Sequence, residues 1–193
     1  MNKNLERLKS IIAKSAFNVA PRYNVNMDFK RFFQTHTGIM DYNLKVSQAE
    51  DVERLTPLDI VSRMTPVFQR ANTKWTRQMQ VTFVENLISG CATKIQLYDI
   101  AGYENEMDNC LILDGLQRLT AIAEFQCGAF PIFGDLYWDM ISTGGIFPRL
   151  NLVLSIYQFR TDQDACEFYI QMNKGVTHSE SDLKSAYEFL NAG

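Results

Sequence analysis

The chain has 193 residues, 46% of them hydrophobic and 12% aromatic, which supplies enough side-chain volume for one domain with a substantial core. That composition excludes disordered, collagenous and low-complexity chains. Nineteen Lys and Arg against 22 Asp and Glu leave a net charge of −3, which excludes a protein that coats DNA through a general basic field. Any contact with nucleic acid has to be local.

Cysteines stand at 91, 110, 127 and 166 with no C-x-x-C pair, and His36 and His178 lie far apart. Zinc and HNH-type nuclease sites need clustered soft ligands, so no metal site is expected. The start, Met1 to Arg7, is too polar for a secretory signal, and no run of about 18 apolar residues exists. The expectation is a cytoplasmic protein with reduced thiols and no membrane partner.

Leu5, Leu8, Ile12 and Ala16 recur at helical spacing, predicting an amphipathic helix over 4–17 that Pro21 closes. Val25, Met27 and Phe29 alternate with polar residues as in a half-buried strand. Residues 30–50 are ambiguous and hold a basic-aromatic cluster, Lys30-Arg31-Phe32-Phe33. Thr56-Pro57-Leu58-Asp59 opens a short helix that Thr65-Pro66 stops. A longer helix is predicted over 74–89 with a stripe of Trp75, Met79, Phe83 and Leu87, ending at Gly90.

Residues 94–100 alternate as a strand, 101–109 form an acidic loop, and 110–113 read as a short buried strand. Asp114-Gly115 turns the chain into a helix over 116–127 on Leu116, Leu119, Ile122 and Phe125, stopped by Gly128. Glycines and prolines break up 129–150, and 152–159 is a strand. Thr161 with Asp164 suggests a capping box opening a helix over 162–172, with Ala165, Phe168 or Tyr169, and Met172 on its buried side. Ser179 with Asp182 starts a last helix on Leu183, Ala186 and Leu190. Helices and strands interleave without a strict βαβ rhythm, so the fold class is α+β (mixed α/β), a small mixed sheet packed by helices.

The stretch from Leu111 to Ala121 is the most informative. A buried strand delivers the chain to Asp-Gly, and a helix begins there with unpaired first-turn amides and the positive end of its dipole. Gly115 admits close approach to the backbone, while Gln117 and Arg118 lie off the apolar stripe, so an anion could be held there. In isolation the same residues also suit a plain helix start, with Asp114 as cap and Arg118 in solvent. Phe68-Gln69-Arg70 precedes Trp75 by five residues and offers a guanidinium beside an indole. Asn173-Lys174-Gly175 lies between helices, where an amide and an ammonium could grip a phosphate or simply end a helix.

Phe-Gln-Arg, then Trp, then a helix ending in Gly, then Leu-Asp-Gly-x-Gln-Arg-Leu-Thr, then Met-Asn-x-Gly resembles the N-terminal domain family of GmrSD-type restriction systems, which carries a D-G-Q-Q-R motif within the ParB/sulfiredoxin-like superfamily. The resemblance spans residues 56–190, and Gly115, Arg118 and Ala121 also fit the G-x-x-R-x-x-A pattern of ParB proteins. It implies a compact ParB-like domain at 51–193 behind an N-terminal extension at 1–50, helical at first and then irregular or strand-like.

It further implies binding of a nucleoside triphosphate, with or without Mg2+, and phosphoanhydride hydrolysis in a DNA-related setting of restriction, anti-restriction or phage defence. By position, Asp114 would stand near the reacting phosphate or its metal, Gln117 would orient water or phosphate, and Arg118 would neutralise charge. Gln69, Arg70, Gly115, Asn173 and Lys174 would complete the phosphate-binding pocket. Two departures stand out. Leu116 replaces the first Gln of the motif, which would spare binding and weaken or remove hydrolysis, and Val176 replaces a glycine.

A second reading is a non-catalytic DNA- or protein-binding inhibitory module of a phage or mobile element, aimed at a host defence complex. It rests on Leu116, on the basic-aromatic patch around Arg31, and on a length that leaves no space for a separate nuclease module. A ParB-like nuclease is the third reading.

Overall fold

A computed structural model of the chain describes residues 3, 4, 6, 20–30, 32–35, 55–69, 74–91, 93–100, 110–143, 150–174 and 180–192. Four strands build one sheet: β1 (Tyr23–Asp28), β2 (Lys94–Ile100), β3 (Leu111–Asp114) and β4 (Asn151–Phe159), in the spatial order β1-β4-β2-β3. β4 runs antiparallel to β1, from Tyr23 opposite Ile156 to Asp28 opposite Asn151, and parallel to β2. β3 closes the other edge antiparallel to β2, with an irregularity between Gln96 and Leu97. The sheet is mixed and helices pack on it, as an α+β fold requires.

The helices are α1 (Phe32–Thr35), α2 (Pro57–Met64), α3 (Arg77–Ile88), α4 (Leu116–Gln126), α5 (Trp138–Ser142), α6 (Asp162–Asn173) and α7 (Lys184–Ala192), the last preceded by a 3-10 turn at Glu180–Leu183. Strand alternation sorts their packing. Ile95 and Leu97 of β2, Ile112 of β3, and Leu152, Leu154 and Ile156 of β4 join a core with α2, α3 and α4. Tyr98, Leu113, Tyr157 and Phe159 point the other way, into a second core with α6 and α7. Tyr98 ties that layer to the sheet by donating from its hydroxyl to Asp162 Oδ1 at 3.0 Å.

Local chemistry sets the helix ends. Thr56 and Asp59 form a reciprocal capping box at α2, and Thr161 and Asp164 form another at α6. Pro57 occupies the first turn of α2, where its missing N–H is harmless. Gly90 and Gly128 stop α3 and α4 with φ of +100° and +75°.

Several expectations are corrected. α3 starts after its cap Thr76, not at 74, and its most buried residues are Gln80, Val84 and Leu87. Met79, expected in the apolar stripe, is 47% exposed. The broken stretch 129–150 contains the short α5 and a tight bridge between Ile132 and Leu136. Phe32 and Phe33 are core residues, and Lys30 Nζ donates to the Ser142 carbonyl at 2.8 Å, so those rings are not a surface for stacking bases. Arg31 lies outside the described residues, as do the loop 101–109 and most of the helix expected over 4–17, of which residues 4 and 6 are described and helical.

β1 comes from the stretch expected to be an extension, yet it pairs with β4, and Phe29, Phe32 and Phe33 join the first core. The described part of the first 50 residues therefore shares the sheet and the core of the rest. No helix among the described residues is long and apolar enough to cross a membrane.

Candidate functional site

At the end of β3 the backbone turns on Gly115, whose φ of +108° is the left-handed region that glycine tolerates. Gly115 is also the N-cap of α4, and no side chain caps the helix. Its carbonyl accepts the first helical bond, from Leu119 N at 2.9 Å. The amides of Leu116, Gln117 and Arg118 in the first turn precede any helical partner, and no acidic side chain sits in that turn. The plain reading of Asp114 as a helix cap is thereby corrected.

Asp114 instead holds Arg118. Arg118 Nη2 donates to Asp114 Oδ2 at 2.5 Å, and Nη1 donates to the Lys94 carbonyl at 2.7 Å. The guanidinium is thus fixed across the ends of β2 and β3, with its side chain 27% exposed and that of Asp114 39% exposed. Long side chains lose much rotamer freedom when ordered, and this fork is ordered before any ligand arrives.

These groups border a cleft of about 400 Å³, lined by Gln69, Trp75, Phe83, Asp114, Gly115, Leu116, Gln117, Arg118 and Tyr169. That volume lies within the range of about 300–1,000 Å³ typical of small-ligand sites. One part of the lining is polar, from the Asp-Gly turn and the start of α4. The rest is aromatic and apolar, from Trp75, Phe83, Leu116 and Tyr169. Trp75 and Phe83 brace each other, with ring centroids 5.2 Å apart and planes at 62°.

The structure brings together Gln69, Asp114, Gly115, Gln117 and Arg118. Gln69 reaches the cleft as a latch: its Nε2 donates to the Ile112 and Leu113 carbonyls at 3.1 and 3.0 Å, pinning the segment before α3 to β3. Asn173 and Lys174 do not line the cleft. Asn173 is 4% exposed and its Nδ2 donates to the Tyr169 carbonyl at 2.8 Å, whereas Lys174 is exposed beyond the end of α6. Asn173 is the last residue of α6 and Lys174 its cap, and Tyr169, one turn earlier on α6, is the residue that faces the cleft. Arg70, Gly175 and Val176 lie outside the described residues.

No family model, curated protein or solved structure matches the chain. No cluster of three or more His, Cys, Asp and Glu side chains among the described residues is arranged to hold a metal ion. A divalent cation here would draw on Asp114 and on oxygens of the ligand itself, as Mg2+ commonly does.

The sequence pairs Trp75 with Arg70 as a site feature but reads Phe83 only as core stripe of α3 and Tyr169 only as a buried side of α6, passing over their place in the cleft lining. Phe83 packs against the same core as Val84 and Leu87 and reaches the cleft as well, a double role that periodicity does not reveal.

Proposed function

We propose that this cleft binds a nucleoside triphosphate, and that the protein is a nucleotide-binding, nucleotide-hydrolysing domain working in restriction, anti-restriction or phage defence. The observation that carries the reading is the convergence of uncapped α4 amides, the Arg118 fork and Gln117 with an aromatic wall in one cleft. Helix N-termini favour anions, and a fixed guanidinium adds charge-assisted hydrogen bonds to phosphate oxygens.

In hydrolysis a water oxygen bonds to the terminal phosphorus and the bond to the bridging oxygen breaks, releasing phosphate and the diphosphate. Such a reaction asks mainly for positioning and charge stabilisation. Gln117, in the cleft lining, orients the water or a phosphate oxygen. Arg118 neutralises the charge that develops, and Asp114 holds Arg118 in place and offers a carboxylate to a cation on the phosphates. DNA or a defence-system protein would be the downstream partner.

Binding without turnover is the second reading, and Leu116 favours it. This residue puts an apolar side chain, 8% exposed, into the cleft wall where the resembled family has an amide.

Titration of ATP, GTP, CTP and UTP against the wild type and Arg118→Ala tests the first reading, with phosphate release measured in parallel. Tight binding by the wild type that Arg118→Ala weakens at least ten-fold supports it. Equal binding by the two proteins, or none by either, overturns it. Binding with no phosphate release selects the second reading.

A further inference from the structure

We propose that Trp75 is the nucleobase platform of this cleft, so that the protein prefers nucleotides to inorganic polyphosphate and reads the base by stacking. This rests on the nucleoside-triphosphate reading and adds to it the part of the ligand that the Asp-Gly turn cannot address.

The cleft is divided in its chemistry. Charged and amide groups from 114–118 suit a polyphosphate but give no reason for indole and phenyl rings in the same lining. Those rings suit a flat apolar group joined to the anion, and a nucleobase is such a group.

Trp75 is also built as a platform. It stands just before the α3 cap, where Thr76 Oγ1 accepts from the Met79 amide at 3.3 Å and fixes the backbone. On its other side, Lys74 Nζ pairs at 2.5 Å with Asp182, whose side chain is only 10% exposed. Phe83 supports the indole edge-to-face, so whichever ring supplies the edge, Phe83 covers at most one indole face. The indole is only partly buried against the first core and borders the cleft. Trp138, the other tryptophan, is likewise partly buried against the first core and edge-on to Phe29 and Phe125, but it borders a different cleft, away from the Asp-Gly turn and the start of α4.

Stacking also sets the selectivity. Two of the polar side chains in the lining are committed within the protein: the Gln69 amide nitrogen to two carbonyls, and Asp114 to Arg118. With Gln117 and Arg118 serving the phosphates, little remains to read the hydrogen-bonding edge of a base. Every base has a π face, so the order of affinity follows stacking area: purines bind more tightly than pyrimidines, with ATP and GTP close together.

The experiment compares ATP with inorganic triphosphate on the full chain. In Trp138→Phe protein, Trp75 is the sole indole, and its fluorescence should change on adding ATP and stay unchanged with triphosphate. Trp75→Ala should weaken ATP roughly ten-fold or more and leave triphosphate affinity unaltered, while Trp75→Phe should restore most of the ATP affinity. Wild type binding ATP and triphosphate equally, a silent indole on ATP binding, or Trp75→Ala weakening both ligands alike would each overturn the platform while leaving the phosphate site standing. Failure of both ligands to bind the wild type would overturn the nucleotide reading itself, and the platform with it.

Discussion

A Cβ placed on Gly115 would lie 3.0 Å from Ile95 Cδ1 and 3.6 Å from Arg118 Nε, so the turn that opens α4 is packed against the buried start of β2. Two constraints coincide there: a φ of +108° and a side chain with no space to retreat, because Ile95 is fully buried. Gly115→Ala is expected to cost about 1–3 kcal/mol from backbone strain, with a further steric contribution. Urea denaturation reads the total. Ile95→Val removes the clashing methyl, so it should cost less in the Gly115→Ala background than in the wild type. Equal costs in the two backgrounds would show that backbone strain acts alone.

Asp114→Ala separates chemistry from stability. Asp114 does not cap α4, and its ion pair with Arg118 is part-exposed, a class worth roughly 0–1 kcal/mol. Arg118 keeps its bond to the Lys94 carbonyl in the variant. The expected outcome is a small shift in thermal midpoint, retained nucleotide binding, and phosphate release reduced to background. A large fall in the midpoint would make Asp114 a structural residue first.

What the sequence made legible was short in range. Both capping boxes link residues three apart, and each appears where Thr56 with Asp59 and Thr161 with Asp164 stood ready to form it. β2 spans the alternating stretch 94–100, because alternation records a strand with two unlike faces. The Asp-Gly turn was equally readable, since only glycine accepts its backbone comfortably.

The failures depend on partners distant in sequence. Met79 and Gln80 are neighbours, and helical periodicity favoured the wrong one because it cannot reveal that a cleft competes with the core for the apolar face of α3. Asn173 read as a ligand residue, but the face of α6 that it shares with Tyr169 meets the cleft one turn earlier. The five-residue α5, set among glycines and prolines, is too short to show a period.

Gln69 gives a third prediction, on the join between the segment before α3 and the edge strand. Its amide nitrogen serves two carbonyls of β3, in sequence 43 and 44 residues away. Gln69→Ala should destabilise by about 1–3 kcal/mol. Gln69→Glu should do worse at neutral pH, because a carboxylate cannot donate and would face two carbonyl oxygens. Denaturant midpoints with nucleotide affinities at a fixed folded fraction check both. Unchanged stability with lost affinity would instead make Gln69 a direct ligand contact.

Asp99, near the end of β2, supplies a pH-dependent prediction far from the cleft. Burial raises its carboxyl above the ordinary value of 3.8, with Arg22, the Gln158 side chain and a backbone bond pulling the other way. Its Oδ1 is enclosed without a hydrogen-bond partner. Neighbouring Cys110 feels the same carboxylate, its thiol pushed up to about 12 by burial and by Asp99, and the Tyr23 hydroxyl is raised for like reasons. A raised acid binds more protons folded than unfolded through the window between the ordinary and the raised value. Stability therefore falls as pH rises through that window and stays lower above it. Asp99→Asn keeps an acceptor for Gln158 and removes the charge, so it should stabilise at neutral pH and be indifferent below the ordinary carboxylate range. The side chain is half-buried and solvent still screens part of the charge, so the gain should stay below about 1 kcal/mol. Urea midpoints across the acid-to-neutral range measure it. Destabilisation by Asp99→Asn at neutral pH would show that attraction to Arg22 outweighs burial, and would reverse the sign of the pH dependence.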